Sequence, residues 1–92
     1  MRLYMEVRIP VEKGNVSFAD GTMEEALMDF IDAAKPEAAY FHLRDGKRAA
    51  VFIFEETQPA KLMAHNEALF AALDAEIWTQ PTLTLEDLKS QM

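Results

Sequence analysis

The chain has 92 residues, half of them hydrophobic and none of them cysteine, with nine Lys and Arg against sixteen Asp and Glu for a formal charge of −7. A chain of this length makes one domain, here residues 1–92, and buries roughly 60–65% of its unfolded surface without staples. Without cysteine there are no disulfides, thiolate metal sites or iron–sulfur clusters, and basic residues scattered through an acidic chain predict neither nucleic acid nor anionic membrane as a partner.

Arg2 to Ile9 alternates, with Leu3, Met5, Val7 and Ile9 on one side and Arg2, Tyr4, Glu6 and Arg8 on the other, which is the period of a strand with one apolar face. The same stretch has no long apolar run, so it reads neither as a signal peptide nor as a membrane span, and a cytoplasmic location is expected. Pro10 ends the strand, and Val11 to Gly21, with Gly14, Asn15 and Asp20, has no sustained period and predicts a loop. Thr22 followed by Glu25 forms a capping-box pattern that starts a helix. Met23, Ala26, Leu27, Phe30, Ile31 and Ala34 form the apolar stripe of that helix, and Lys35-Pro36 closes it.

Ala38 to Arg44 and Lys47 to Glu55 are two strands joined by Asp45-Gly46, the pair favoured in a type I′ hairpin. A two-residue loop pairs Arg44 with Lys47, His42 with Ala49, Tyr40 with Val51 and Ala38 with Ile53. Thr57 is placed to cap a second helix with Pro59 in its first turn, striped by Leu62, Met63, Leu69, Phe70 and Leu73. Ala75 to Gln80 alternates as a fourth strand ended by Pro81, and Thr84 with Asp87 caps a short last helix.

The order βαββαβ predicts an α+β fold of ferredoxin-like type: a four-stranded antiparallel sheet, strands one and three central, two helices on one face, and a short C-terminal helix. The helix-facing side would hold Leu3, Met5, Val7, Ala39, Phe41, Phe52, Phe54 and Ile77. The opposite face collects Tyr4, Glu6, Arg8, Tyr40, His42, Val51, Ile53, Glu76 and Trp78. An apolar patch of that kind marks an interface or a ligand site. A second copy stacked sheet to sheet would cover it through a two-fold contact.

Residues 1–80 resemble, in element order, the dimeric α+β barrel superfamily, in which ferredoxin-like protomers pack sheet against sheet. The runs Lys35 to Phe41, Asp45 to Arg48 and Phe52 to Phe54 are similar to a group of small bacterial proteins with no assigned chemistry. The resemblance implies a homodimer through the open sheet face and, in some members, a small-molecule pocket. Members include small monooxygenases, lactone isomerases and haem-degrading enzymes. The haem-degrading branch relies on Asn, Trp and His; here only His65 matches by position, with Tyr4 and Glu6 on the first strand and Trp78 on the last. No cofactor is expected, and His42 with His65 make no metal set.

The candidate catalytic residues are His42, as general acid or base, and Glu6, which would orient it. Tyr4, Tyr40 and Trp78 are candidate pocket aromatics, and equally ordinary interface aromatics. Glu6, Arg8 and Glu76 read as ion pairs of an interface. Asn66 falls on the apolar stripe of the second helix, where a buried amide needs partners: backbone carbonyls or a water first, or else a ligand in a helix–sheet cavity; His65 flanks that stripe in an exposed position. A third strand that offers Val51 and Ile53 in place of stacking aromatics, and a first loop without an anion cradle, set aside RNA-recognition and acylphosphatase readings. Two functions follow: a non-catalytic dimer that binds a small molecule or another protein, or a cofactor-independent monooxygenase or isomerase acting on a small aromatic or lactone-like substrate.

Overall fold

The computed structural model describes residues 1–92 as β1 (Arg2–Ile9), α1 (Val11–Asp20), α2 (Thr22–Ala34), β2 (Ala38–Arg44), β3 (Lys47–Glu55), α3 (Pro59–Leu73), β4 (Glu76–Pro81) and α4 (Leu85–Gln91). The strands form one antiparallel sheet in the order β2-β3-β1-β4, with β1 and β3 central. Hairpin register matches the alternation throughout: Tyr40 lies opposite Val51 and Arg44 opposite Lys47. Asp45 and Gly46 both take positive φ, 53° and 76°, as a type I′ turn requires.

Leu3, Met5, Val7, Phe52 and Phe54 from the sheet meet Met23, Phe30, Leu69 and Leu73 from α2 and α3 in one buried cluster. Phe30 sits between the rings of Phe52 (4.7 Å) and Phe54 (5.5 Å), the tilted and edge-on geometries that aromatic pairs favour. Helices α1, α2 and α3 cover one side of the sheet and leave the other open. The molecule is accordingly a slab, 47 × 27 × 17 Å, with a radius of gyration of 14.0 Å. A rounder chain of this length would have about 12 Å.

Several expectations are corrected. Val11 to Asp20 is a helix, not a loop, because its buried side is made of Gly14 and Ser17 while Val11, Val16 and Phe18 point to solvent. A helix that packs through small residues has no apolar stripe for a periodicity to find. Ser17 completes it by donating its Oγ–H to the Lys13 carbonyl at 2.8 Å. Gly21, at φ 84°, ends α1 and serves as N-cap of α2. The capping acceptor for α2 is Asp20, which takes bonds from the Thr22 N–H (2.9 Å) and hydroxyl (2.6 Å), so the Thr22–Glu25 box does not form. At α3, Gln58 is the N-cap and the Glu56 carboxylate accepts from the N–H groups of Thr57 and Gln58, displacing Thr57 from that role. Met63 and Phe70 face solvent, so the buried stripe of α3 narrows to Leu62, Leu69 and Leu73. Strand β4 runs to Pro81, tolerated because β4 is an edge strand.

Ala39 and Phe41 are not core. Phe41 is 59% exposed and touches the sheet through an edge contact with Phe52 at 5.9 Å. The helix layer stops short of the edge strand β2. The capping box of α4 forms as its sequence predicts, Asp87 N–H to Thr84 Oγ1 at 3.1 Å and Thr84 N–H to Asp87 Oδ2 at 3.2 Å. No helix is long and apolar enough to cross a membrane.

Candidate functional site

Register alone sets the open face in rows. Tyr40, Val51, Glu6 and Trp78 align across β2, β3, β1 and β4, and the next row is His42, Ala49, Arg8 and Glu76. Ala38, Ile53, Tyr4 and Gln80 form the row on the other side. The two central strands hold Glu6 and Val51 low in the sheet, and the edge strands raise Tyr40 and Trp78 on either side.

Glu6 is only 6% exposed even though no helix covers it. Its carboxylate is held by two guanidiniums, Arg8 Nε at 2.7 Å and Arg44 Nη2 at 3.4 Å. Arg8 also donates to Asp45 at 2.9 Å and lies 4.3 Å from the centre of the Trp78 ring. Lys47 pairs with Glu76 at 2.9 Å alongside. Charges so placed neutralise one another, as a buried carboxylate requires. The aromatics above them stay open: Tyr40 is 62% and Trp78 50% exposed.

His42 occupies the row beside Glu6, but no hydrogen bond joins them; its Nε2 is buried without a partner in the chain. Asn66, on α3, is remote from the three aromatics because it lies on the helix side of the sheet, and its Oδ1 is also buried and unpaired. Tyr4, Tyr40 and Trp78 share the open face with Glu6 and His42. His65, expected in solvent, is instead largely buried, 3.6 Å from Glu56 and edge-on to Phe30 at 5.3 Å. Glu56 sits below its ordinary carboxyl pKa, chiefly because it accepts the Gln58 backbone N–H. Its two capping bonds are invisible in the sequence, where Thr57 offers the familiar pattern.

Cavities lie on the helix side. One of about 230 Å³ runs between α2 and α3, lined by Ala26, Phe30, Ala64, His65 and Ala68 among others. A second, of about 200 Å³, opens between α1, α2 and the β2–β3 hairpin. No cluster of three or more His and acidic groups is placed to hold a metal ion.

The sheet order and the one-sided helix layer define a ferredoxin-like α+β protein. No family model matches the chain, and no curated protein matches it in sequence. Among solved structures, a formyltetrahydrofolate deformylase from Pseudomonas putida superposes with a TM-score of 0.58 at 9% identity, over 89% of this chain and 29% of that enzyme. The chain thus spans less than a third of the enzyme it matches. The de novo designed protein Ferredog-Diesel matches with a TM-score of 0.47 at 16% identity, over 88% of this chain and 85% of that one. A protein from Agrobacterium tumefaciens gives 0.49 at 13%, over 92% and 96%. At these identities the likeness is one of fold alone.

Proposed function

We propose that the chain is a non-catalytic module that forms a homodimer through its open sheet face, in the sheet-to-sheet manner of the dimeric α+β barrels, and presents a small-molecule or protein-binding surface. The observation that carries this reading is the pairing of Glu6 with Arg8 and Arg44 between two uncovered aromatics, Tyr40 and Trp78. A neutralised polar centre flanked by exposed aromatics is the composition of an interface: charges are satisfied within the protomer, and the apolar rings gain by losing water. A specific interface needs about 800 Å² from each partner, and this chain has 6003 Å² of surface with one whole sheet face available.

The alternative, a cofactor-independent monooxygenase or isomerase using His42 and Glu6, has less support. Both Glu6 oxygens are engaged by guanidiniums, and the carboxylate is not bonded to His42. A general base needs that reach to its proton donor or orienter.

Trp78 is the single tryptophan and reports on the face directly. Its emission is expected to shift to the red on dilution, as the partner leaves and water reaches the ring. Emission and mass that both stay constant, at the value of a single chain, contradict the reading.

A further inference from the structure

We propose that the cavity between α1, α2 and the β2–β3 hairpin is a binding site for a small monocarboxylate with an apolar body, its carboxylate held by Arg48. This site lies on the helix side of the sheet and does not depend on the dimer reading.

Arg48 is the one arginine of four without a carboxylate partner: Arg2 pairs with Glu37 and Asp87, Arg8 with Glu6 and Asp45, and Arg44 with Glu6. In a chain with sixteen acidic residues, that is not for want of acids. Its guanidinium is held by a neutral group instead. Nη1 and Nη2 both donate to Asn15 Oδ1 at 3.2 Å, and the group lies 5.6 Å from the centre of the Phe18 ring. The seat is cut to shape by Gly14, where a Cβ would stand 2.6 Å from Arg48 Nη1. Glycine inside a helix is less favourable than alanine. Here it lets α1 carry the guanidinium against its backbone. Asn15 is a neutral acceptor and leaves the positive charge uncompensated, with Nε and the remaining Nη hydrogens free to donate.

The cavity beside this cation is apolar: seven of its nine lining residues are hydrophobic, among them Ile9, Phe18, Met23, Leu27 and Phe41. Its volume, about 200 Å³, somewhat exceeds the roughly 150 Å³ of an apolar cavity that accepts benzene. One aromatic ring, or a short acyl chain, fits. Two of the walls, Phe18 (70% exposed) and Phe41, are large apolar side chains that stand open to solvent outside the buried core. Arg48 is itself one of the lining residues, and a planar guanidinium beside an apolar pocket recognises a carboxylate by charge-assisted bonds while the body of the ligand displaces water.

The test is NMR titration of the ¹⁵N-labelled full chain with three probes: phenylacetate, its neutral amide phenylacetamide, and inorganic phosphate. Phenylacetate is expected to give saturable shifts at Phe18, Phe41 and Arg48, about tenfold or more tighter than phenylacetamide. Phosphate, lacking an apolar body, is expected not to saturate. Arg48→Met should remove the preference for the anion while leaving phenylacetamide binding unchanged. Gly14→Ala, which keeps the helix and displaces only the guanidinium, should act in the same direction. Phe18→Ala, at an exposed position, should weaken both organic probes. The proposal is overturned if phenylacetate gives no saturable shifts at millimolar concentration, if phosphate binds as well, or if Gly14→Ala and Arg48→Met bind phenylacetate as the wild type does. Shifts centred on Tyr40 and Trp78 would overturn it too, by placing the ligand on the open face.

Discussion

Arg8 lies 4.3 Å from the centre of the Trp78 ring while its Nε donates to the buried Glu6 at 2.7 Å. One side chain on the first strand therefore links the buried charge of the open face to one of its exposed aromatics. Arg8→Leu would leave Glu6 with only the longer contact to Arg44, at 3.4 Å. Loss of that bond to a buried carboxylate is expected to cost about 1–3 kcal/mol, measured as a fall in the urea midpoint with the slope unchanged. A variant as stable as the wild type would mean that solvent already screens the pair.

Phe52 and Phe41 occupy the same side of neighbouring strands, with opposite consequences. Phe52 is buried at the centre of the ring cluster, and Phe52→Ala is expected to cost about 3–5 kcal/mol. Phe41 hangs over the uncovered edge, so Phe41→Ala should cost under about 1 kcal/mol. Thermal melts separate the two, since each kcal/mol moves the midpoint of a domain this size by about 4–8 °C. Equal losses would place a helix over β2 that the fold does not have.

That contrast shows what the sequence could and could not say. Alternation in β1 and the Asp45-Gly46 turn make strand register legible, because both are local and have a period or a conformational demand of their own. Register in turn is enough to put Glu6, Tyr40, His42 and Trp78 on one face. Helix α1 is illegible: its packing side is Gly14 and Ser17, and its large residues face out, the reverse of an amphipathic stripe. The reach of the helix layer is also hidden, since nothing in Phe41 says whether a helix extends over it. For the same reason the pocket at Arg48 has no signature in the chain: it is formed by a glycine, an asparagine and an edge strand brought together only by the fold.

The capping carboxylates give the chain an acid limit. Asp87 is held below its usual value by the N–H of Thr84 first, then by the Thr84 hydroxyl, with Arg2 adding to the effect; Asp20 and Glu56 are lowered by their own helix-start bonds. A folded pKa below the unfolded one contributes stability that is complete above the unfolded value and is lost as pH falls through the folded value. Stability should therefore hold at neutral pH and decline below about pH 4. Asp87→Asn should lessen the steepness of that decline and fray α4, which Asp87 ties to Arg2 at 2.7 Å. Melting temperature against pH for both proteins checks this, and parallel curves would contradict it.

Glu6→Gln separates the two functional readings. The exchange keeps the shape and leaves Arg8 and Arg44 facing a neutral amide, so a stability loss of about 1–3 kcal/mol is expected. Under the interface reading, the variant still dimerises once folded, because the aromatics supply the contact. A variant of full stability that instead abolished turnover of an aromatic or lactone substrate would favour the enzyme.

Light scattering on the wild type and on Trp78→Glu reads out whether the open sheet face meets a second copy of the chain, as proposed. Trp78 is half-exposed at the edge of the face, so a charge there leaves the protomer core untouched while setting a carboxylate against the partner. The wild type is expected to have about twice the 10.4 kDa mass of the chain, and the variant to fall to a single chain. A wild type of single-chain mass, or a variant that stays dimeric, would contradict a dimer through this face.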